Sequence, residues 1–205
     1  MKTEAVIFDL FGTLVYLAQE TRPYARLFQD LGIHTPEEVR QARRIAITEH
    51  FEELSSLVER IKPGSHIDTQ SYQQEIERER QSATLYQETI PVLDKLQRSG
   101  LKVGLISNLA SPYKKPFFDL GLQQYFQEII FSCDIGLQKP DQKIYRIMIR
   151  KLDVDPANVL MTGDKVHADV DGPRSIKIKA VHLDRKHSSE HSIMNLEGIF
   201  QYLLQ

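Results

Sequence analysis

The chain has 205 residues, of which 41% are hydrophobic and 26% are charged, and its formal net charge is -2. This balance is ordinary for a soluble globular protein, and it argues against the strongly basic surface of a nucleic-acid binder. A single cysteine, Cys133, excludes an internal disulfide; with no signal-peptide pattern and no apolar run near the ~18 residues of a membrane span, we expect a cytoplasmic protein and no membrane partner.

The first predicted element is a strand that ends in a carboxylate. The apolar run Ala5-Val6-Ile7-Phe8 leads directly to Asp9, and a turn with Gly12 and Thr13 follows. A short continuous apolar run is typical of a strand buried on both faces of a parallel sheet. Ligands of such sheets bind outside the carboxyl ends of the strands. We therefore expect Asp9 at the rim of a binding pocket.

The next segment, residues 14–89, is charged and helical in texture. The spacing of apolar and capping residues predicts helices over 20–31, 35–62 and 69–85. The second of these has a strong start, because Thr35, Pro36 and Glu38 fit an N-cap, a first-turn proline and a capping box. Since a strand precedes this segment, we interpret residues 14–89 as a helical cap domain inserted into a core of residues 1–13 and 90–205.

From residue 89 onward, helices alternate with strands. Helices are predicted over 91–98, 112–120, 141–152, 168–177 and 195–204, and strands over 102–107, 128–132, 158–162 and 179–183. Alternation of this kind indicates βαβ units. The predicted fold class is therefore α/β, a doubly wound, Rossmann-like parallel sheet with an inserted helical cap.

Side chains suited to phosphoryl transfer follow several of these strands. A carboxylate can attack phosphorus, cationic and hydroxyl groups can hold the phosphate oxygens, and a hard cation can neutralise clustered acids. Three clustered carboxylates without a cation would repel one another. The candidates at the predicted strand ends and in the loops that follow them are Asp9, Ser107, Asn108, Lys139, Asp164 and Asp169.

In its order of motifs the chain resembles the haloacid dehalogenase-like hydrolase superfamily over essentially its full length. The family's motifs correspond to Asp9-Leu10-Phe11-Gly12-Thr13, to Ser107 with Asn108, to Lys139-Pro140, and to Gly163-Asp164 followed by Asp169. The resemblance implies that Asp9 is the covalent nucleophile of a phosphatase that acts on a small phosphorylated metabolite. It also implies that Ser107, Asn108 and Lys139 hold the transferring group. Mg²⁺ would be bound by Asp9, Asp164, Asp169 and the backbone carbonyl of Phe11.

The first motif departs from the family pattern at Phe11. Phosphatases of the family carry an Asp there, which protonates the leaving group and later activates water. Phe11 keeps the backbone carbonyl but supplies no proton, and general acid–base help is typically worth ~10²–10⁴-fold in rate. One response is a slow phosphohydrolase that takes activated substrates or borrows an acid, for which His167 is a candidate.

Two other interpretations stay open. One is a 2-haloacid dehalogenase, which releases halide, a leaving group that needs no proton. That subgroup resembles this chain in the aromatic residue at this position and in a Tyr like Tyr145; it uses no metal and has a cap arginine. Gly163-Asp164 argues against it, and the cap offers Arg22, Arg26, Arg43 and Arg44 without distinguishing among them. The third interpretation is a catalytically weakened protein that binds a phosphorylated ligand for regulation.

Overall fold

The computed structural model describes residues 2–187, 189 and 192–203. Its strands are β1 (Ala5–Phe8), β2 (Val15–Leu17), β3 (Ala83–Leu85), β4 (Lys102–Ser107), β5 (Glu128–Phe131), β6 (Val159–Gly163), β7 (Lys179–Leu183) and β8 (Ser192–Ile193). Its α-helices are α1 (Pro23–Asp30), α2 (Pro36–Thr48), α3 (Leu54–Ile61), α4 (Gln70–Gln81), α5 (Thr89–Arg98), α6 (Lys115–Asp119), α7 (Ser132–Ile135), α8 (Gln142–Leu152), α9 (Gly172–Arg174) and α10 (Phe200–Leu203).

Six strands form one sheet in the order β5-β4-β1-β6-β7-β8, and all neighbouring pairs in it are parallel. The chain runs outward from β1 through β4 to β5 and then crosses to β6 on the other side of β1. The predicted doubly wound parallel sheet is thereby confirmed. The direction of winding changes at β1, and ligands of such sheets bind outside the strand ends at this point.

The sheet is covered on both faces by apolar side chains. In β1, Val6 and Phe8 belong to a cluster with residues of α5, whereas Ala5 and Ile7 belong to a cluster with residues of α8. Alternate residues of a strand point to opposite faces, so both halves of the apolar run are buried. β1 is therefore a rigid support for the residue that follows it, Asp9.

Between β2 and β3 the four helices α1 to α4 form a hydrophobic cluster of their own. β2 and β3 pair antiparallel, with Val15 opposite Leu85, so the chain leaves and re-enters the sheet domain through a two-stranded ribbon. The buried members of the helical cluster include Leu27, Phe28, Leu31, Ala42, Ala46, Leu57, Val58, Tyr72 and Ile76.

The helix predicted over 35–62 is in fact two helices, α2 and α3. The capping box at Thr35 and Glu38 is present, but the backbone becomes extended at Glu49. The step from Ala46 to Phe51 is five residues, which does not stay on one helical face. The break lets the Phe51 N–H donate to Ser111 Oγ at 3.1 Å while Leu57 and its neighbours join the hydrophobic cluster of the four helices.

The helix predicted over 69–85 ends at Gln81, and the last three residues form β3. Ser82 ends the helix because its hydroxyl donates to the Glu79 carbonyl at 2.7 Å and accepts from the Gln19 N–H at 3.0 Å. β2 and β3 have three residues each, and strands this short carry no recognisable alternation in sequence.

The helix predicted over 168–177 is replaced by a π-helical turn, Val166–Asp171, and the short α9. Gly172 and Pro173 shorten it, because proline supplies no backbone N–H to continue a helix. The last predicted helix is a 3₁₀ turn, Leu196–Ile199, followed by α10, and its predicted residue Leu204 lies outside the described residues. Within the described ranges, no helix is long and apolar enough to span a membrane.

Candidate active site

Lys139 joins two carboxylates that come from different parts of the sheet. Its ammonium donates to Asp9 Oδ1 at 2.7 Å and to Asp169 Oδ1 at 2.6 Å. The Lys139 side chain is 2% exposed and that of Asp169 is completely buried. A buried charge must be paired, and the two hydrogen bonds satisfy this requirement. The ammonium thus fixes the position of Asp9 at the carboxyl end of β1.

Burial and charge shift the pKa values of this pair. Burial raises the pKa of Asp9 from 3.8 to about 6; Lys139 opposes this rise and the Asp169 carboxylate adds to it. Burial alone would lower the pKa of Lys139, but Asp9 and Asp169 raise it above its ordinary value. Lys139 is therefore charged at neutral pH, and Asp9 becomes an anion only as the pH passes about 6.

Asp164 completes the group, which we call the charged cluster (Asp9, Lys139, Asp164 and Asp169). Oxygens of its three carboxylates all lie within 4.8 Å of one another. Asp164 Oδ2 accepts from Lys165 Nζ at 2.6 Å. Its Oδ1 is buried and has no hydrogen-bond partner among the described residues. Unpaired carboxylate oxygen in an acidic cluster is what a hard divalent cation requires, so these residues fit Mg²⁺.

Gly12 allows Asp164 to approach the loop after β1. A Cβ at position 12 would lie 2.6 Å from Asp164 Oδ2, and Gly12 has φ of +83°. Both the space and the backbone conformation therefore require glycine. In the same turn, the carbonyl of Phe11 accepts no hydrogen bond from a described residue, so it too is available to a cation.

The π-helical turn places Asp169. Its second oxygen, Oδ2, accepts from the Lys165 backbone N–H at 3.0 Å. Gly163 makes room for this carboxylate, because a Cβ there would lie 2.4 Å from the Asp169 carboxyl group. Tyr145 was singled out in the sequence for its resemblance to a Tyr of the dehalogenases. Its hydroxyl donates to the Ala168 carbonyl. Tyr145 is thus a support for the turn and is completely buried.

Ser107 and Asn108 follow at the end of β4. Ser107 is 2% exposed. The Asn108 amide donates to the Lys139 carbonyl and accepts from the Lys139 N–H, both at 2.9 Å. Asn108 therefore holds the Lys139 backbone against β4, in addition to the substrate contact that we predict for it.

A cavity of about 830 Å³ lies between the helical segment and the sheet, and both Phe11 and Asn108 line it. Of the candidate arginines in the helical segment, Arg22 and Arg43 line the cavity, whereas Arg26 is paired with Glu75. His167, the candidate replacement acid, is exposed.

Arg185 is a residue that the sequence analysis missed. Its guanidinium donates to the Gly12 carbonyl at 3.3 Å and the Thr13 carbonyl at 2.7 Å, pairs with Glu88 at 2.7 Å, and lies 3.4 Å from the Tyr86 ring centroid. It therefore holds the loop that carries Phe11. Its only sequence signal is its position two residues after β7, which is too weak to single it out among 26 basic residues.

Glu79 was missed as well. It is 3% exposed and accepts hydrogen bonds from the Arg22 N–H at 2.7 Å, from the Thr21 N–H and hydroxyl, and from the Tyr113 hydroxyl. Tyr113 belongs to the sheet domain, so Glu79 links the helical segment to it. In sequence Glu79 stands in a highly charged helix and looks like an exposed acid.

Comparison with known proteins agrees with this geometry. A family model described as a haloacid dehalogenase-like hydrolase matches residues 3–176. Glyceraldehyde 3-phosphate phosphatase from Methanopyrus kandleri is 32% identical over 101 residues, 49% of this chain and 43% of that protein. Phosphoserine phosphatase from Thermus thermophilus is 31% identical over 109 residues, 53% of this chain and 44% of that protein. The matches thus span less than half the length of these curated relatives.

Solved structures share the fold at low identity. A HAD phosphatase from Thermococcus onnurineus gives a TM-score of 0.68 at 24% identity, with 98% of each chain covered. YfnB from Bacillus subtilis, a magnesium-bound HAD-hydrolase, gives 0.70 at 20% identity over the whole of both chains. A dehalogenase in an intermediate complex gives 0.69 at 16% identity, covering 100% of this chain and 98% of the other.

Proposed function

The chain belongs to the haloacid dehalogenase-like hydrolases, and we propose that it is a Mg²⁺-dependent phosphohydrolase that acts on a small phosphorylated metabolite through Asp9. The observation that carries this proposal is the charged cluster at the switch point of the sheet, in which one oxygen of Asp164 has no hydrogen-bond partner among the described residues. Relatives named as phosphatases support the same reaction class.

The proposed reaction has two steps. An Asp9 carboxylate oxygen forms a bond to phosphorus, and the bond from phosphorus to the leaving oxygen breaks, with its electron pair going to that oxygen. Water then attacks phosphorus and releases phosphate, the Asp9–phosphate bond breaks, and one proton of the water passes to phosphate or solvent.

The other residues have distinct proposed roles. Ser107, Asn108 and Lys139 hold the transferring group, and Lys139 also keeps Asp9 in position through its 2.7 Å hydrogen bond. Mg²⁺ supplies positive charge to the phosphate oxygens; its proposed ligands are oxygens of Asp9 and Asp164, the Phe11 carbonyl and, in support, Asp169.

The proposed organisation has residues 14–89 as a cap over a core of residues 1–13 and 90–205. Two features support it: the cap helices have their own hydrophobic cluster, and the cavity lies where the two parts meet. The proposed setting is the reducing cytoplasm, which suits a chain with one thiol, and the proposed partner is a small molecule.

The test is hydrolysis of p-nitrophenyl phosphate with Mg²⁺ and with a chelator. This substrate releases a stabilised phenolate and so needs no acid at position 11. We expect turnover that disappears with the chelator and in Asp9→Asn. Asp171→Asn is the matched control, because Asp171 is exposed, and it should retain activity. A folded wild-type protein that shows no turnover with Mg²⁺ overturns the proposal.

Phe11 favours one second candidate, a hydrolase that releases halide, because a halide ion leaves without a proton. Chloride release from a 2-chloroacid that depends on Asp9 and persists in chelator is the result that selects it. The Asp164 oxygen to which no described residue donates a hydrogen bond weighs against a metal-independent reaction.

A further inference from the structure

Four aromatic rings form a continuous surface from the loop after Asp9 to the first cap helix. Phe11 meets Tyr113 edge to face at 6.0 Å between ring centroids, Tyr113 meets Tyr24 at 6.1 Å, and Tyr24 meets Phe28 at 6.3 Å. All four line the same cavity of about 830 Å³. We call Phe11, Tyr113, Tyr24 and Phe28 the aromatic wall.

A hydrogen bond to a buried carboxylate holds the aromatic wall in place. The Tyr113 hydroxyl donates to the buried Glu79 carboxylate, which two backbone N–H groups also bind. Tyr113 therefore presents ring surface to the cavity, since its polar end already has a partner. Phe28 is 2% exposed and fixes the far end. A rigid aromatic surface of this kind favours a planar ring, which can add another edge or face contact.

The first ring of the wall is also the residue that supplies no proton. Phe11 gives a departing group no proton, so a leaving group that is stable as an anion departs beside it more readily than one that is not. A phenol ionises with a pKa of about 10, whereas water, to which alcohols are similar in acidity, ionises far less readily. A phenolate is thus expelled far more readily than an alkoxide.

From these two observations we propose that the substrate is an aryl phosphate, whose ring binds against the aromatic wall and whose phenolate leaves without protonation at position 11. The inference rests on the proposed function. Asp9 forms its bond to phosphorus, the phosphorus–oxygen bond to the ring breaks, the electron pair leaves with the phenolate, and the phenolate takes its proton from solvent.

The experiment uses four phosphate compounds that separate ring binding from leaving-group chemistry. Phenyl phosphate has a ring and a phenolate leaving group, and benzyl phosphate has a ring but an alkoxide leaving group. Acetyl phosphate has a good leaving group without a ring, and glycerol phosphate has neither. We expect a KM for phenyl phosphate at least about tenfold below that for acetyl phosphate, and a kcat for benzyl phosphate about 10²-fold or more below that for phenyl phosphate.

Two substitutions test the two halves of the proposal. Tyr24→Leu should raise the KM for phenyl phosphate about threefold to tenfold and leave that for acetyl phosphate unchanged, and Tyr16→Leu, outside the cavity, should change neither. Phe11→Asp should raise kcat for benzyl phosphate, whereas Phe11→Asn, of the same size but without an acid, should not.

The possible outcomes distinguish the aryl phosphate substrate from the proposed phosphohydrolase function on which it rests. Hydrolysis of acetyl phosphate that needs Mg²⁺ and Asp9, with no lower KM for phenyl phosphate, overturns the aryl substrate and keeps the phosphohydrolase. Equal kcat values for benzyl phosphate and phenyl phosphate would also overturn the aryl substrate and keep the phosphohydrolase. No turnover of any of the four by the folded wild type overturns both.

Discussion

The charged cluster and the aromatic wall are connected by the loop after Asp9, which carries Phe11, but they are built in opposite ways. In the cluster, Lys139 joins two buried carboxylates through hydrogen bonds of 2.6–2.7 Å. In the wall, rings from the sheet domain and the helical segment touch at centroid distances of 6.0–6.3 Å, and Tyr24 and Tyr113 keep some exposure. Charge thus fixes the proposed chemistry, whereas packing between two parts of the chain shapes the proposed specificity.

The largest effect is expected from a substitution that breaks the charged cluster. Lys139→Met leaves Asp9 and Asp169 buried without their shared cation. Removing one partner of a buried ion pair typically costs about 3–5 kcal/mol, so the free energy of unfolding should fall by this order and Asp9-dependent activity should vanish. Chemical denaturation measures the first and a phosphate-release assay the second.

Lys165→Met is the matched control. Lys165 also pairs with a cluster acid, Asp164, but its side chain is 74% exposed. Exposed pairs contribute about 0–1 kcal/mol, so the free energy of unfolding should change little. Equal losses in the two variants would contradict the contrast between buried and exposed lysines.

The second effect concerns pH. The folded-state pKa of Asp9, raised from 3.8 to about 6, means that this group favours folding below pH 3.8 and loses that contribution as the pH rises through about 6. In chelator, Asp9→Asn should therefore equal the wild type in stability near pH 4 and exceed it at pH 7–8, where the buried Asp9 is charged.

Thermal unfolding across pH 4–8 measures this difference, with Asp171→Asn as a control that should follow the wild type. Mg²⁺ at pH 8 should raise the Tm of the wild type and not that of Asp9→Asn, since a cation stabilises the state that binds it. A variant that is less stable than the wild type at pH 8 in chelator would contradict the cost assigned to the buried Asp9 charge.

The two regions also differ in how far sequence could anticipate them. Asp9 and Asp164 stand directly after strands, and the ends of parallel strands meet at one edge of the sheet, so their proximity was predictable from local pattern. Glu79 and Tyr113 meet only because α4 packs on the sheet domain. The break after α2 at Glu49 left a single trace in the sequence, the five-residue step from Ala46 to Phe51. The β2–β3 ribbon was too short to leave a pattern.

The third effect is at the loop that connects the two regions. Arg185→Leu removes donors from the Gly12 and Thr13 carbonyls and removes the ion-pair partner of Glu88. Hydrogen bonds to charged groups are worth about 1.5–3 kcal/mol, so we expect a loss of stability of that order. Because the same loop carries Phe11, Mg²⁺ affinity measured by calorimetry should weaken too. Lys186→Leu, at an exposed neighbour, should leave both unchanged; unaltered Mg²⁺ affinity in Arg185→Leu would separate this residue from the site.

The smallest effect is expected from a substitution in the aromatic wall, and it tests whether the wall acts on substrate binding alone. Tyr113→Phe keeps the ring but removes the hydrogen bond to Glu79, and Tyr72→Phe removes the matching bond to Asp30 within the helical segment, away from the cavity. Each loss should lower the free energy of unfolding by about 1.5 kcal/mol, the lower end of the range for hydrogen bonds to charged groups. Only Tyr113 belongs to the wall, so only Tyr113→Phe should raise the KM for phenyl phosphate, by a few fold, with kcat preserved because the charged cluster is untouched. If the two variants changed KM equally, Glu79 would only support the fold. If Tyr113→Phe changed kcat and not KM, the aromatic wall would act on the chemistry of the charged cluster, and the proposed separation of the two regions would be wrong.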